Sequence, residues 1–298
     1  MAKKIVCFGE VLWDVLPTES IAGGAPMNVS IRLQSLGINT KMISKIGNDE
    51  LGSKLLEIIK SKNVDTSLIQ IDRTHSTGEV LVKLDEKGSA TYTIVYPTAW
   101  DNILLNEDNI KAVKEADAIV YGSLACRDMI SRNTLLTLLK EAKYKVFDVN
   151  IRPPFYSFDF LKEMMTLADF VKLNDDELFE IARAFGSDND SVNDAILFLS
   201  NLTNTKTICV TKGKDGAVLY IDNQFYTNDG FEVSVVDTIG AGDSFLAALL
   251  SKVLYTDDYD KAVEFGCAVG ALVAGNKGAN PEITDDAIET FLNLKKNK

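Results

Sequence analysis

The nine residues Asp237-Thr238-Ile239-Gly240-Ala241-Gly242-Asp243-Ser244-Phe245 combine types and spacing that can do chemistry. A polar loop broken by two glycines runs directly into an apolar helix, Phe245 to Leu254. Glycines lack Cβ, so their N–H groups can approach a ligand closely. A helix start adds unpaired N–H groups and a positive dipole end. Together these bind anions, phosphate above all. One carboxylate, Asp243, sits inside that anion site. A carboxylate repels phosphate, so its presence there is costly unless it accepts a proton, for instance from a hydroxyl attacking a phosphoryl group. An ordinary turn with Asp as helix cap would explain a bare Gly-x-Gly-Asp. The whole stretch favours function.

Four further constellations have chemical potential. Lys172-Leu173-Asn174-Asp175-Asp176-Glu177 follows a short strand and opens a helix. An Asn and a Glu three apart can orient waters on Mg²⁺, and the same spacing is a capping box; the two roles are compatible. Thr211-Lys212-Gly213-Lys214-Asp215-Gly216 offers a hydroxyl, lysines and glycines for nucleotide phosphates, or is a common tight turn. Asp148-Val149-Asn150-Ile151-Arg152 ends a strand with an acid, an amide and a guanidinium, suited to a hydroxyl-rich or anionic substrate. Asp14 with Gly23, Gly24 and Asn28 can hold a sugar, since Asp accepts from two hydroxyls and the glycines allow close backbone approach.

These residues need strands that end beside helix starts. Lys4 to Gly9 is a continuous apolar run ended by Gly, which suits a buried parallel strand. Gly23-Gly24-Ala25-Pro26 opens a helix that Gly37 ends. Thr40–Ile46 is predicted as strand and Asp49–Lys62 as an amphipathic helix. Beyond residue 117, strands at 117–122, 145–150, 170–173 and 207–211 alternate with helices at 132–143, 158–167, 175–185 and 190–202. A hairpin at 217–226 and helices at 259–276 and 285–294 complete the chain. Repeated βα units predict an α/β fold with a doubly wound, mostly parallel sheet, whose ligands bind at the carboxyl ends of its strands. Residues 77–96 break the pattern: two alternating runs flank a turn at Asp85-Glu86-Lys87-Gly88. They read as a small β lid spanning about 11–22 and 77–100, on a single domain of residues 1–298. Its apolar face must be covered by its own domain or by a second subunit, which would make a homodimer.

Composition narrows the partners. The chain has 298 residues, a net charge of −12 and no long basic run, which argues against nucleic acid or an anionic membrane. No stretch approaches the length of a membrane span, and Met1-Ala2-Lys3-Lys4 leads into a strand, not a signal peptide. Cys7, Cys126, Cys209 and Cys267 are scattered and read as buried thiols of a reducing cytoplasm. His75 is the only histidine, so triad chemistry is not expected.

In this order the segments resemble the ribokinase-like sugar kinases, the phosphofructokinase B family, over essentially the whole chain. GGAPMNVSIRLQSLG (23–37) is similar to the family's N-terminal signature and DTIGAGDSF (237–245) to its C-terminal one; KLNDDE, TKGKDG and NKGAN (276–280) match further segments. The resemblance implies Asp243 as catalytic base, with Gly240, Ala241 and Gly242 as anion hole. It implies that Asp14, Gly23, Gly24, Asn28 and Arg152 hold the sugar. Lys172, Asn174, Thr211, Lys212, Gly213, Gly216, Cys267 and Asn276 would hold ATP, with Asn174 and Glu177 supporting Mg²⁺ through water. Asp237, Ile239 and Gly278 would surround a monovalent cation such as K⁺. GEVLWDVLP, GGAPMN and FDVNIRPPFY look most like fructokinases. The implied reaction is ATP-dependent phosphorylation of D-fructose at a primary hydroxyl. A 2-keto-3-deoxygluconate kinase or a ribokinase is the alternative enzyme; a sugar- or nucleotide-binding regulator is the non-enzyme one. Tyr96-Pro97-Thr98-Ala99-Trp100-Asp101 departs from the pattern, lacking the arginine many of these kinases show after the lid strand.

Overall fold

The structure, a computed structural model, describes residues 3–84 and 90–296. The turn expected at Asp85–Gly88 lies outside the described residues. The chain divides into two compact units, Met1–Lys143 and Tyr144–Lys298.

In the first unit the order is β1 (Lys4–Phe8), β2 (Leu12–Val15), β3 (Ser20–Gly23), α1 (Ala25–Ser35), β4 (Asn39–Gly47), α2 (Glu50–Ser61), β5 (Ile69–Asp72), β6 (Gly78–Leu84), β7 (Ala90–Ile94), α3 (Glu107–Glu115), β8 (Ala118–Gly122) and α4 (Met129–Leu139). β8, β1, β4 and β5 are parallel neighbours in that order. Their apolar runs are buried on both faces, as in β1 from Ile5 to Phe8 and throughout β8. β3, β2, β6 and β7 form a separate four-stranded sheet. Its hairpin β6–β7 is antiparallel, and β2 pairs in parallel with β6, so residues 12–23 do complete the sheet begun by the hairpin.

In the second unit the order is β9 (Lys145–Asp148), α5 (Phe158–Leu167), β10 (Phe170–Asn174), α6 (Asp175–Ala184), α7 (Val192–Thr203), β11 (Thr207–Thr211), β12 (Ala217–Ile221), β13 (Gln224–Asn228), α8 (Ala241–Val253), α9 (Tyr259–Ala274) and α10 (Asp285–Lys296). β9, β10 and β11 are parallel neighbours, and β12 and β13 add an antiparallel edge. The fold class is thus α/β with βα units on a mostly parallel sheet, as the sequence predicts.

Four elements differ from expectation. α8 starts at Ala241 rather than Phe245, because Gly240 takes the left-handed conformation (φ 73°) and caps it; Asp243 therefore lies inside the first turn. β5 and α3 are not anticipated by the sequence reading, and Ala99–Asn102 forms a 3₁₀ turn. No helix among the described residues is long and apolar enough to cross a membrane.

Candidate active site

In the first unit, the turn between β3 and α1 gathers four of the five residues expected to hold a sugar. β2 and β3 pair with Leu12 opposite Gly23 and Asp14 opposite Ile21. The Asp14 carboxylate lies against Gly23, where a Cβ would come within 2.7 Å of its Oδ2. Gly24 caps α1 at φ 115°, and any side chain there would run into the Glu10 carbonyl. Only glycine meets both demands. Asn28, 4% exposed, donates its backbone N–H to the Gly24 carbonyl at 2.9 Å, so it sits one turn into the helix. Trp13 fixes this edge by donating its indole N–H to the Leu51 carbonyl at 3.1 Å.

In the second unit, the carboxyl ends of three neighbouring strands bring the expected phosphate residues together. Lys172 on β10 stands directly opposite Asp148 on β9, and Asn174 opposite Thr211 on β11. The Lys172 ammonium donates to both Asp148 oxygens, at 3.0 and 3.3 Å, and both side chains are buried. Burial works against the charged ammonium, but the charges of Asp148, Glu177 and Asp243 outweigh it and hold Lys172 above the ordinary lysine range. Lys172 also lies immediately behind the first turn of α8: a Cβ on Gly242 would be 3.5 Å from its Nζ. The expected ATP contact is therefore, in this structure, a buried cation behind the glycine turn.

The capping box is fully formed. Asn174 Oδ1 accepts from the Glu177 N–H at 2.8 Å, and Glu177 Oε2 accepts from the Asn174 N–H at 2.9 Å. Glu177 does more than cap, because its Oε1 accepts from the Ile151 N–H at 2.9 Å. One carboxylate thus ties the start of α6 to the loop after β9, a role the local pattern did not announce. Burial raises the Glu177 pKa, Asp148 adds to this, and Lys172 with the two N–H groups offsets only part of it. A carboxylate with both oxygens so engaged keeps lone pairs for waters rather than for direct chelation. That donor set fits a magnesium ion held through its waters. Among the described residues no three His, Cys, Asp or Glu side chains gather as a direct metal site.

Around α8, a Cβ on Gly240 would come within 2.6 Å of the Ala279 carbonyl, so its backbone packs directly on that loop. Asp237 joins the three residues expected around a monovalent cation: its Oδ1 accepts from the Ile239 N–H and its Oδ2 from the Gly278 N–H, both at 3.0 Å. Thr211 donates to the Leu173 carbonyl at 3.4 Å. Lys212, Gly213 and Gly216 form a closed turn, with the Lys212 N–H on the Gly216 carbonyl at 2.7 Å. Cys267 is buried on α9; Asn276 is exposed and donates to the Leu272 carbonyl at 2.8 Å. Arg152 is exposed and donates to the Ile151 carbonyl at 2.8 Å.

The sequence reading missed a second cluster, Trp100, Asp101 and Arg127 in the first unit. Arg127 donates to Asp101 from Nε and Nη2, at 2.7 and 2.8 Å, with both side chains essentially unexposed. Asp101 lies 26 residues upstream, and no local spacing signals the pair.

Comparison with known proteins gives a consistent picture. The profile of a family described as pfkB family carbohydrate kinase matches residues 2–286. Probable fructokinase-7 of Arabidopsis thaliana is 30% identical over 318 residues, covering 97% of this chain and 92% of that protein. The crystal structure of a sugar kinase from Pyrococcus horikoshii in complex with ATP superposes with a TM-score of 0.80 at 30% identity, covering 92% of this chain and 93% of that one. A fructokinase double mutant from Vibrio cholerae O395, bound to fructose, ADP and a potassium ion, superposes with a TM-score of 0.83 at 23% identity, covering 97% and 98%. At that identity the likeness speaks to the fold.

Proposed function

The chain belongs to the pfkB family of carbohydrate kinases, and within that family we propose that it phosphorylates the primary hydroxyl of D-fructose, with Asp243 as the base. The observation that carries this reading is the first turn of α8. It begins at a left-handed glycine without a side-chain cap, contains one acid, and has a buried lysine behind it. N–H groups and a cation converge where a phosphoryl group gathers charge, and a proton acceptor stands in the same turn.

The reaction written on these residues is an in-line displacement. The sugar hydroxyl oxygen bonds to the γ-phosphorus of ATP while the bond to the ADP oxygen breaks. The hydroxyl proton passes to the Asp243 carboxylate, and ADP leaves. The N–H groups of 240–243 stabilise charge on the transferring oxygens. Asp14, the Gly23–Gly24 backbone and Asn28 hold the sugar hydroxyls, and the turn from Thr211 to Gly216 holds ATP phosphates. Asn174 and Glu177 would hold magnesium through water; when bound, that ion neutralises phosphate charge. Asp237, Ile239 and Gly278 would hold potassium, the ion in the V. cholerae neighbour. Two observations support fructose over a sugar acid. The matching plant relative is named a probable fructokinase. Among the residues expected to hold the sugar, Arg152 is the one cation and it is exposed, a balance that suits a neutral substrate.

A coupled ADP-release assay over fructose, ribose and 2-keto-3-deoxygluconate tests the reading. The highest kcat/KM is expected with fructose. Asp243→Asn should lower kcat by about 10²- to 10⁴-fold with the fold intact. A preference for the sugar acid, or an Asp243→Asn enzyme at wild-type speed, overturns it.

A further inference from the structure

The cluster of Arg127, Asp101 and Trp100 lies outside the residues assigned above, yet it touches both ends of the β6–β7 hairpin. At the entry, Gly78 packs so closely on the buried Trp100 indole that any side chain would strike its Nε1 and Cδ1. At the exit, the Val95 carbonyl accepts from Arg127 Nη2 at 2.6 Å, and the Val95 N–H donates to the Glu79 carbonyl at 2.9 Å. The next ring, Tyr96, lies 5.0 Å from the Arg127 guanidinium and donates its hydroxyl to Asp128 at 3.0 Å. Between the two ends, the guanidinium stacks 4.0 Å from the Trp100 ring and forks onto Asp101. Asp101 also accepts from the Thr98 N–H at 2.8 Å, and the Ala99 N–H reaches the Ser76 carbonyl at 2.8 Å. The two strands of the hairpin therefore leave from one buried knot.

The knot reaches the expected sugar residues through strand register. β6 pairs with β2 so that Gly78 stands opposite Leu12 and Val80 opposite Asp14. Where Gly78 is seated thus sets where Asp14 stands. We propose that Arg127 is a positioning residue for the sugar: through Asp101 and Trp100 it seats both roots of the β6–β7 hairpin, and with them Asp14. This deepens the kinase reading and rests on it for the role of Asp14. A desolvated ion pair contributes little net stability but is costly to break from one side, which suits a device that fixes geometry. A planar fork stacked on a ring is also something lysine cannot replace.

The test uses the full chain carrying Arg127→Met, with Arg127→Lys and Asp101→Asn as milder variants should the first fail to fold. Amide hydrogen exchange without ligands is read at residues 79–82 and 92–96 against 5–8 and 42–46. Kinetics are read as separate KM values for fructose and ATP. Breaking the pair should speed exchange at the hairpin roots by about tenfold or more while β1 and β4 keep their protection. The KM for fructose should rise about tenfold, with that for ATP within about twofold, and Arg127→Lys should not restore it. Unchanged hairpin protection, an equal loss across β1 and β4, or equal rises in both KM values overturns the proposal. If the wild-type chain releases no ADP with any sugar, the kinase reading fails instead, and the exchange pattern still decides whether Arg127 holds the hairpin.

Discussion

At Gly240, two independent constraints fall on one residue: a left-handed φ of 73° and direct packing of its backbone on Ala279. An alanine there must accept both, and the neighbour is main chain that cannot swing aside. Gly240→Ala should therefore lower stability by about 1–3 kcal/mol, from backbone strain alone, in urea unfolding. It should also abolish most sugar-dependent ADP release, because the N–H groups of the turn move with the backbone. A stable Gly240→Ala enzyme with normal turnover would remove the turn from the mechanism. The turn that holds this residue, Gly242 and Asp243 was legible because it is local: nine consecutive residues carry the glycines, the acid and the entry to a helix, although the helix begins at Ala241, earlier than expected. Lys172 was legible as a polar residue near a strand end, but its seat on Asp148 was not. That contact depends on the register of β9 against β10, and a register is a property of two strands that no single stretch spells out.

Elements show the same division between local and distant causes. α6 was readable from its own capping box, and α1 from Pro26 and the glycines before it. β5 was not, since its four residues, Ile-Gln-Ile-Asp, carry too short a pattern at the edge of the parallel set. What ends β5 is Asp72, a buried acid paired with Lys45 at 2.8 Å that also accepts from the Thr74 and His75 N–H groups, at 2.8 and 3.0 Å. Burial alone would raise its pKa, but Lys45, Thr74 and His75 outweigh it and hold the carboxyl well below the usual range. A folded pKa below the unfolded value of about 3.9 adds stability above that pH, and this stability is lost as the pH falls. Asp72→Asn should thus be less stable near neutrality, and its unfolding midpoint should fall less steeply below about pH 4. Urea titrations of both proteins across that range check the sign; parallel acid limbs would contradict it. α3 was missed although Asn106 caps it through the Asn109 N–H, because its charged sequence offers few apolar residues to mark a face.

Across the whole molecule, the described thiols follow the composition: all four cysteines are buried and none is paired in a disulfide. Burial pushes Cys7 and Cys209 above the ordinary thiol range, away from the reactive thiolate. A thiol-reactive disulfide reagent should therefore label the native protein slowly and modify all four cysteines once it is unfolded; a fast native phase would mark an opening that the fold does not show. The α/β class, the order of its βα units and the four-stranded β sheet were readable because each rests on periodicity within one element. The Arg127 knot was hidden because it joins residues from three separate segments, none with a pattern of its own. That knot gives the hairpin an unusual practical status. The stretch between Gly78 and Val95 is seated at its two ends by the knot and along β6 by its pairing with β2, so it is a candidate cassette. A hairpin from a relative with another sugar preference, spliced in between those two residues, should be accepted if Trp100, Asp101 and Arg127 stay and the register against β2 is kept.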